Sequence, residues 1–432
     1  MGLVYIKTYG CQMNVHESEK LYAAFAKRGT GKAGRPEDAD IIILNTCCVR
    51  EGAETRVIGN LGLVKKLKER RPDLIVAICG CMSQQEAVAE KIHKRCPFVN
   101  IITGTYKLHE LPDMAERVSR GEKYILDLEK DESIKCGVNE AERTDKASAF
   151  VNIMYGCNNF CTYCIVPYVK GRERSRRADD VTDEIKRLID GGYKEVTLLG
   201  QNVNSYRDGD TDFAKLLDRV SDLDGDYWIK FMTSHPKDLS DEVIHMIAAK
   251  PRLAKYIHLP LQSGSDRILA LMNRKYDVSS YMRKTDLIRK LMPDAGLSSD
   301  IIVGFPTETE DDYLMTENAV KRVGYNNLFT FIYSKRTGTP AATMEGQVDE
   351  DVKKERIARL IEVQAKIAAE RAAACVGKTY RALCDGKTGG SFTGKTSEDR
   401  VIVFDGNASV GEFVNVLVTS AKNSKLYGKA VN

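Results

Sequence analysis

Apolar and polar positions alternate along this chain in two rhythms. Near the amino terminus, short apolar runs at residues 4–8, 41–45, 74–78 and 99–103 are each followed by a longer charged stretch with helically spaced apolar residues. Strand and helix in strict alternation predict a doubly wound parallel sheet over residues 1–125. Residues 126–143 are mostly polar and charged and read as a linker. The rhythm resumes with apolar runs at 150–155, 195–199, 228–233, 256–261, 297–303 and 327–333, with helical patterns such as 183–190, 279–292 and 308–323 between them. Six such repeats without antiparallel turn signals predict a partial (β/α)6 barrel over residues 140–374, ending in a long charged helix at 349–374. From 375 to 432 the runs TYRALCDG, RVIVFDG, GEFVNVLV and LYGKAV are separated by Gly and Asp and predict a small all-β barrel. The expected fold class is α/β, with a β-barrel tail.

Length and composition agree with this division. A chain of 432 residues with 43% hydrophobic and 29% charged residues suits about three globular domains. No apolar run approaches the ~18 residues of a membrane span, and the amino terminus enters a strand pattern directly. With 12 Cys and no secretion pattern, the expectation is a cytoplasmic protein, away from membranes, whose thiols serve metals or catalysis rather than disulfides. The net charge of +4 is too small to declare a nucleic-acid binder, so local patches must carry that case.

The cysteines carry the chemistry. Cys157, Cys161 and Cys164 form a CxxxCxxC triplet within YGCNNFCTYCIVPYVKGRERSRR. Three close thiolates fall short of a four-ligand structural zinc site, but they can hold three irons of a [4Fe-4S] cubane and leave the fourth open. The competing reading is one face of an amphipathic helix, since i, i+4 and i+7 share a face; Gly156, Asn158, Asn159 and Pro167 argue for a loop. In the first third, Cys11, Cys47 and Cys81 each follow a strand. A parallel sheet brings the carboxyl ends of its strands to one edge, where open α/β sheets bind ligands. These thiols could hold a second cluster, or simply be buried as small hydrophobes. Cys48 competes with Cys47 for the ligand position, whereas Cys79 reads as a packed strand residue. Arg172, Arg174, Arg176 and Arg177 form either a solvated face or a patch that binds phosphate or carboxylate. His235 reads as a hydrogen-bonding loop residue, and His258 as packed within a strand. Gly389, Gly394, Lys395 and Thr396 match a GxxxxGK[ST] phosphate loop, but a strand follows where a helix is required, so the match reads as a hairpin. The tail carries eight Lys/Arg against five Asp/Glu from 377 to 432, a mild excess compatible with RNA.

The cysteine loop, with Tyr163 before its last Cys, resembles the radical S-adenosylmethionine superfamily. The whole chain resembles that superfamily's methylthiotransferases through TYGCQMNVHESEK, NTCCVREGAETRVIGNLG, GCMSQQE, LLGQNVNSY, HLPLQSGSDRIL, DIIVGFPTETEDDY and YSKRTGTPAA. The resemblance implies two [4Fe-4S] clusters. Cys157, Cys161 and Cys164 would hold the one that binds and cleaves S-adenosylmethionine to a 5′-deoxyadenosyl radical. Cys11, Cys47 and Cys81 would hold the auxiliary one that delivers a methylated sulfur. GCQMN and the cysteine loop look like the branch that modifies C2 of N6-isopentenyladenosine next to the tRNA anticodon. Other branches act on threonylcarbamoyladenosine or a ribosomal-protein aspartate, and an iron-sulfur RNA-binding protein without catalysis is the alternative from another class. The resemblance implies a TRAM module at 375–432, the tRNA anticodon arm as partner, contacted by Arg172, Arg174, Arg176 and Arg177, and an electron donor such as flavodoxin or ferredoxin. The expected assembly is a monomer. Strand-end position assigns Tyr163, Gln201, Ser234, Gln262, Ser263 and Asp300 to the cofactor pocket; no catalytic residue is assigned beyond the cluster ligands. Cys48, Lys170 and Thr307 depart from the family's usual residues.

Overall fold

The computed structural model describes residues 2–48, 53–130, 143 and 145–431, without the side chains of 53–56 and 58. The chain divides into two units: Met1–Thr144 with Tyr155–Asn158 and Cys164–Arg176, and Asp145–Met154 with Asn159–Tyr163 and Arg177–Asn432.

In the first unit, strands Ile41–Thr46 and Ile75–Gly80 are buried at every position, and their side chains alternate between two cores. Ile41, Ile43, Ile75, Ala77 and Cys79 pack with Leu21, Phe25, Leu111 and Met114 beneath helices Gln12–Ala26 and Leu111–Ser119. Ile42, Leu44, Val76 and Ile78 pack with Val57, Leu61, Ala89 and Ile92 beneath helices Ala53–Arg70 and Glu86–Arg95. The period of two in a strand explains this division, which produces the doubly wound layer. The sheet is parallel throughout, in the order Gly31–Lys32, Leu3–Thr8, Ile41–Thr46, Ile75–Gly80, Ile101–Thr103, Ile125–Asp127. The last strand corrects the sequence reading, which began a linker at 126. Only Ile125 of its three residues is buried, so no apolar run announced it. The remainder of that linker, at 131–142 and 144, lies outside the described residues.

In the second unit, Ser148–Asn152, Glu195–Leu199 and Trp228–Phe231 form one parallel sheet, and Tyr256–His258, Gly296–Val303 and Asn327–Ile332 form another. A parallel bridge between Ile229 and Leu253 adjoins the first sheet. Both sheets contribute to one apolar core, from Val151, Val196 and Ile229 to Ile257, Leu297 and Leu328, giving a partial barrel. A small antiparallel ribbon, Arg207–Asp208 with Thr211–Asp212, is an exception to the all-parallel expectation. Helix Glu350–Ala373 buries Leu360 in that core and is fixed by Gln364, whose amide donates to the Tyr325 carbonyl at 2.9 Å.

The tail closes into a five-stranded barrel ordered Thr379–Thr388, Ser391–Thr396, Val401–Asp405, Lys425–Val431, Phe413–Lys422. The phosphate-loop match falls on its first hairpin: Gly389 and Gly390 make the turn and Lys395 and Thr396 lie in the returning strand, as the sequence reading expected. This barrel packs against the amino-terminal ends of the partial barrel's strands. Trp228 meets Phe413 with ring centroids 4.5 Å apart, and buried Lys230 bonds both Glu195 and Asp399. A side chain at Gly296, the first residue of its strand, would lie 2.0 Å from the Glu398 carbonyl oxygen, so this approach requires glycine. Among the described residues no helix is long and apolar enough to cross a membrane.

Candidate active site

Three loops adjoin at the carboxyl edge of the first unit's sheet. Cys11 is the residue before helix Gln12–Ala26, and Gly10 precedes it with φ +121. A Cβ at Gly10 would lie 2.5 Å from the Cys47 Cβ, so the missing side chain lets these loops approach. The Cys81 amide donates to the Thr46 carbonyl at 3.0 Å, which ties the third loop to the second. Asn14 donates to that same carbonyl at 2.9 Å, while Asn45 donates to the Asn14 carbonyl at 3.0 Å and to the Ser18 hydroxyl at 2.9 Å. Buried polar side chains thus lock the edge.

Cys48 and Cys81 are buried and share a hydrogen bond. That bond, and less so the Lys170 ammonium, draws the Cys81 thiol below its ordinary range against burial; the Cys48 thiol is pushed up. Cys48 also packs with Ile165 and Val169. The sequence left Cys48 competing with Cys47, and the structure places it as a partner of Cys81. Cys79 is fully buried in the core, and burial pushes its thiol up, as the packed reading expected. Lys170 places its ammonium 3.4 Å from the Met13 sulfur; burial opposes its charge, but Cys81, Glu17 and Cys11 outweigh that and raise it.

The triplet lies outside any helix, since the next helix begins at Val166, so the helical-face reading fails. In the first unit, the Cys157 amide donates to the Gly171 carbonyl at 3.1 Å, and Gly156 adopts φ +78 where a Cβ would meet the Arg172 carbonyl at 1.9 Å. In the second unit, Cys161 and its neighbours lie on the end of helix Asp266–Leu271. Thr162 donates its amide to the Met272 carbonyl at 3.1 Å and its hydroxyl to the Leu271 carbonyl at 2.9 Å. Phe160 sits at φ 46, and its carbonyl accepts from Asn273 at 3.0 Å. Arg274, which sequence reasoning missed, buries its guanidinium 3.3 Å from the Cys161 sulfur and 3.4 Å from the Tyr163 hydroxyl. It carries no motif-like signal, because its placement depends on the chain folding back after that helix.

Among the described residues, no three His, Cys, Asp or Glu side chains are gathered as ligands of a single metal ion. A cubane has a separate iron at each ligated corner, so its thiolates stand further apart than those around one ion. The donor chemistry fits such a cluster: six loop thiols, none in a disulfide, with Cys11, Cys157 and Cys164 partly exposed.

The partial barrel's carboxyl edge fits a polar cofactor. Ser234 Oγ, Gln262 Oε1, Asn202 Oδ1 and Asn204 Nδ2 are buried there without a hydrogen-bond partner among the described residues. Thr233 and Gln262 adopt φ 71 and 69, and non-glycine residues in this region are concentrated at functional sites. Gln262 and Asp300 are adjacent, the Gln262 amide donating to the Asp300 carbonyl at 2.8 Å. His258 Nε2 lies 3.5 Å from the Asp300 carboxylate, and its Nδ1 is 2.8 Å from Ser298 Oγ, which matches the packed reading. Gln201 follows strand Glu195–Leu199 by one residue beyond Gly200 and is half-buried. The fully buried Ser263 hydroxyl lies 3.3 Å from Thr316 Oγ1 and accepts from the Ser265 amide at 3.2 Å, supporting the cap of helix Asp266–Leu271. His235 is a buried loop residue whose Nδ1 accepts from the Lys237 amide; burial, then Arg274, hold its pKa well below the ordinary value.

The arginine run divides. Arg172 and Arg177 are exposed, Arg174 is half-buried over the Tyr106 ring, and Arg176 is buried at 4% exposure.

Comparison with known proteins follows this architecture. The Radical SAM superfamily matches residues 151–320, the family described as Uncharacterized protein family UPF0004 matches 3–104, and the TRAM domain matches 373–431. A Clostridium botulinum (strain Okra / Type B1) protein named tRNA-2-methylthio-N(6)-dimethylallyladenosine synthase is 48% identical over 438 residues, covering 100% of this chain and 97% of that one. A Clostridium perfringens (strain SM101 / Type A) protein of the same name is 47% identical over 434 residues, covering 99% and 97%. Among solved structures, the cobalamin-dependent S-adenosylmethionine radical enzyme OxsB has a TM-score of 0.57 at 12% identity, covering 85% of this chain and 57% of that one. The radical S-adenosylmethionine methyltransferase TsrM from Kitasatospora setae has a TM-score of 0.57 at 13% identity, covering 79% and 75%. These last two likenesses are of fold alone.

Proposed function

The chain belongs to the family of tRNA-2-methylthio-N(6)-dimethylallyladenosine synthases, and from that membership we infer what its two cysteine edges do. It is a radical S-adenosylmethionine methylthiotransferase that adds a methylthio group to C2 of N6-isopentenyladenosine at tRNA position 37. Its cofactors are S-adenosylmethionine and a [4Fe-4S] cluster, which Cys157, Cys161 and Cys164 hold; Cys11, Cys47 and Cys81 hold a second cluster for sulfur delivery. When bound, the first cluster and S-adenosylmethionine supply a carbon-centred radical, and the second supplies the sulfur.

The chain's own residues bind, orient and shield. Ser234, Gln262, Asn202 and Asn204 have buried polar atoms to offer S-adenosylmethionine, with Tyr163, Gln201 and Asp300 beside them. Ser263 acts one step removed, by fixing the turn that carries Gln262. The apolar packing of Cys48 with Ile165 and Val169 keeps water from the Cys81 side of its edge. Arg172 and Arg177 face solvent, suited to RNA phosphates, with Arg174 beside them and Arg176 supporting from within. We assign residues 1–125, 140–374 and 375–432 to the auxiliary-cluster, radical and TRAM domains of a cytoplasmic monomer reduced by a flavodoxin or ferredoxin.

The observation that carries this reading is that two sets of three loop thiols follow parallel strands in a chain matched end to end by those synthases. Protein with iron and sulfide restored under anaerobic conditions, given reductant, S-adenosylmethionine and isopentenylated tRNA, should yield a nucleoside heavier by one methylthio group. Parallel reactions with threonylcarbamoylated tRNA and a ribosomal protein should yield nothing. Product in either of those alone would move the enzyme to another branch, and no product anywhere, with both clusters loaded, would contradict the function.

A further inference from the structure

Arg274 is buried, and among the described residues no carboxylate pairs with it. Its guanidinium is held by four contacts. Nη1 lies 3.3 Å from the Cys161 sulfur and 3.4 Å from the Tyr163 hydroxyl, Nη2 donates to the Pro260 carbonyl at 3.3 Å, and Nε donates to the Tyr276 hydroxyl at 3.1 Å. Tyr276 in turn donates to the Leu261 carbonyl at 2.7 Å, and its ring lies 5.1 Å from the guanidinium carbon. The fork is therefore anchored to the end of the Tyr256–His258 segment and aimed at the cysteine loop.

A buried cation without a counter-charge is strongly unfavourable, and of the ionisable partners named above, two phenols and one thiol, the thiol is by class the more acidic and the one that becomes anionic as a cluster ligand. Hydrogen bonds to cluster sulfurs and the net charge around a cluster set its reduction potential. A fixed positive charge stabilises the reduced state, which carries one more electron, over the oxidised state. We propose that Arg274 is a positioning residue that holds Cys161 and raises the reduction potential of the radical cluster through its N–H···S bond. The inference rests on Cys161 being a ligand of that cluster.

The test uses the full-length protein carrying Cys11→Ala, Cys47→Ala and Cys81→Ala, so that only the radical cluster titrates. After anaerobic loading, the one-electron reduction with dithionite is followed by electron paramagnetic resonance against potential, with iron content measured in parallel. Arg274→Met should load iron as its parent does, and should shift the reduction equilibrium at least tenfold against the reduced state, about 59 mV more negative for one electron. Arg274→Lys, which restores the charge without the planar fork, should recover part of that shift. If circular dichroism shows Arg274→Met to be unfolded, Arg274→Gln carries the same criterion. A loaded variant with the parent's potential would overturn the inference alone. A folded variant that takes up no iron would also overturn it, since Arg274 would then be needed only to build the loop. A parent with no reducible cluster would overturn the ligand assignment, and this inference with it.

Discussion

Gly80 shows how much one backbone position constrains the thiol edge. Its φ of +101 is a region that side chains avoid, and a Cβ there would lie 2.4 Å from the Thr46 carbonyl oxygen. That oxygen accepts from both the Cys81 amide and Asn14, so the clash cannot relax without breaking the lattice that joins the loops. Gly80→Ala should therefore lower unfolding stability by about 1–3 kcal/mol from backbone strain, with more from the clash, in urea titration of the iron-free protein. At this scale, legibility followed the chemistry of each residue. Cys11, Cys47 and Cys81 could be read because a thiol after a parallel strand has a fixed destination, the sheet's carboxyl edge. Arg176 could not be separated from Arg172, because a charge run does not reveal which guanidinium turns inward. Ser263 was grouped with the cofactor pocket by position, and position could not show that its hydroxyl also meets Thr316 and the Ser265 amide.

Helix Glu310–Val323 is joined to a neighbouring helix through its cap. Its amino terminus is a capping box, with the Thr309 hydroxyl and the Asp312 carboxylate each meeting the other residue's amide. Asp312 also accepts from Ser265 at 2.6 Å and from Arg267, so one carboxylate ties this helix to helix Asp266–Leu271 beneath the cysteine loop. Burial opposes its ionisation, but the bonds from Arg267, Ser265 and Thr309 outweigh burial and hold the carboxyl well below its ordinary range. A carboxylate depressed in the folded state stabilises fully above the unfolded pKa of about 3.9 and loses that contribution as pH falls toward its folded value. Asp312→Asn should thus destabilise the iron-free protein by about 1.5–3 kcal/mol at pH 7. The gap to the unaltered protein should narrow as pH falls below about 4, read from urea midpoints across pH. A gap that stayed constant would mean the charge contributes nothing. The long strands and helices were legible because their periodicity spans several residues, with ends off by a few. Strand Ile125–Asp127 was not, being three residues with one buried side chain, and its pairing with Ile101–Thr103 supplies what the pattern lacks.

Across each whole unit, the candidate site residues gather where parallel strands end. In the second unit, buried polar atoms without a partner among the described residues lie at the carboxyl ends, whereas the tail barrel is fastened at the amino-terminal ends through Trp228, Lys230 and Gly296. Alternating strands and helices made both parallel assemblies legible, and the change to short runs marked the tail. The seat of the tail barrel was not, since it depends on contacts between residues such as Lys230 and Asp399 that no local pattern links. We propose a division of labour in which Cys157, Cys161 and Cys164 start the chemistry and Cys11, Cys47 and Cys81 complete it. The most direct measurement compares the loaded enzyme with its Cys11→Ala, Cys47→Ala, Cys81→Ala variant on isopentenylated tRNA under reducing, anaerobic conditions. The variant should still cleave S-adenosylmethionine to 5′-deoxyadenosine but form no methylthio nucleoside. Methylthiolation by the variant would contradict that division.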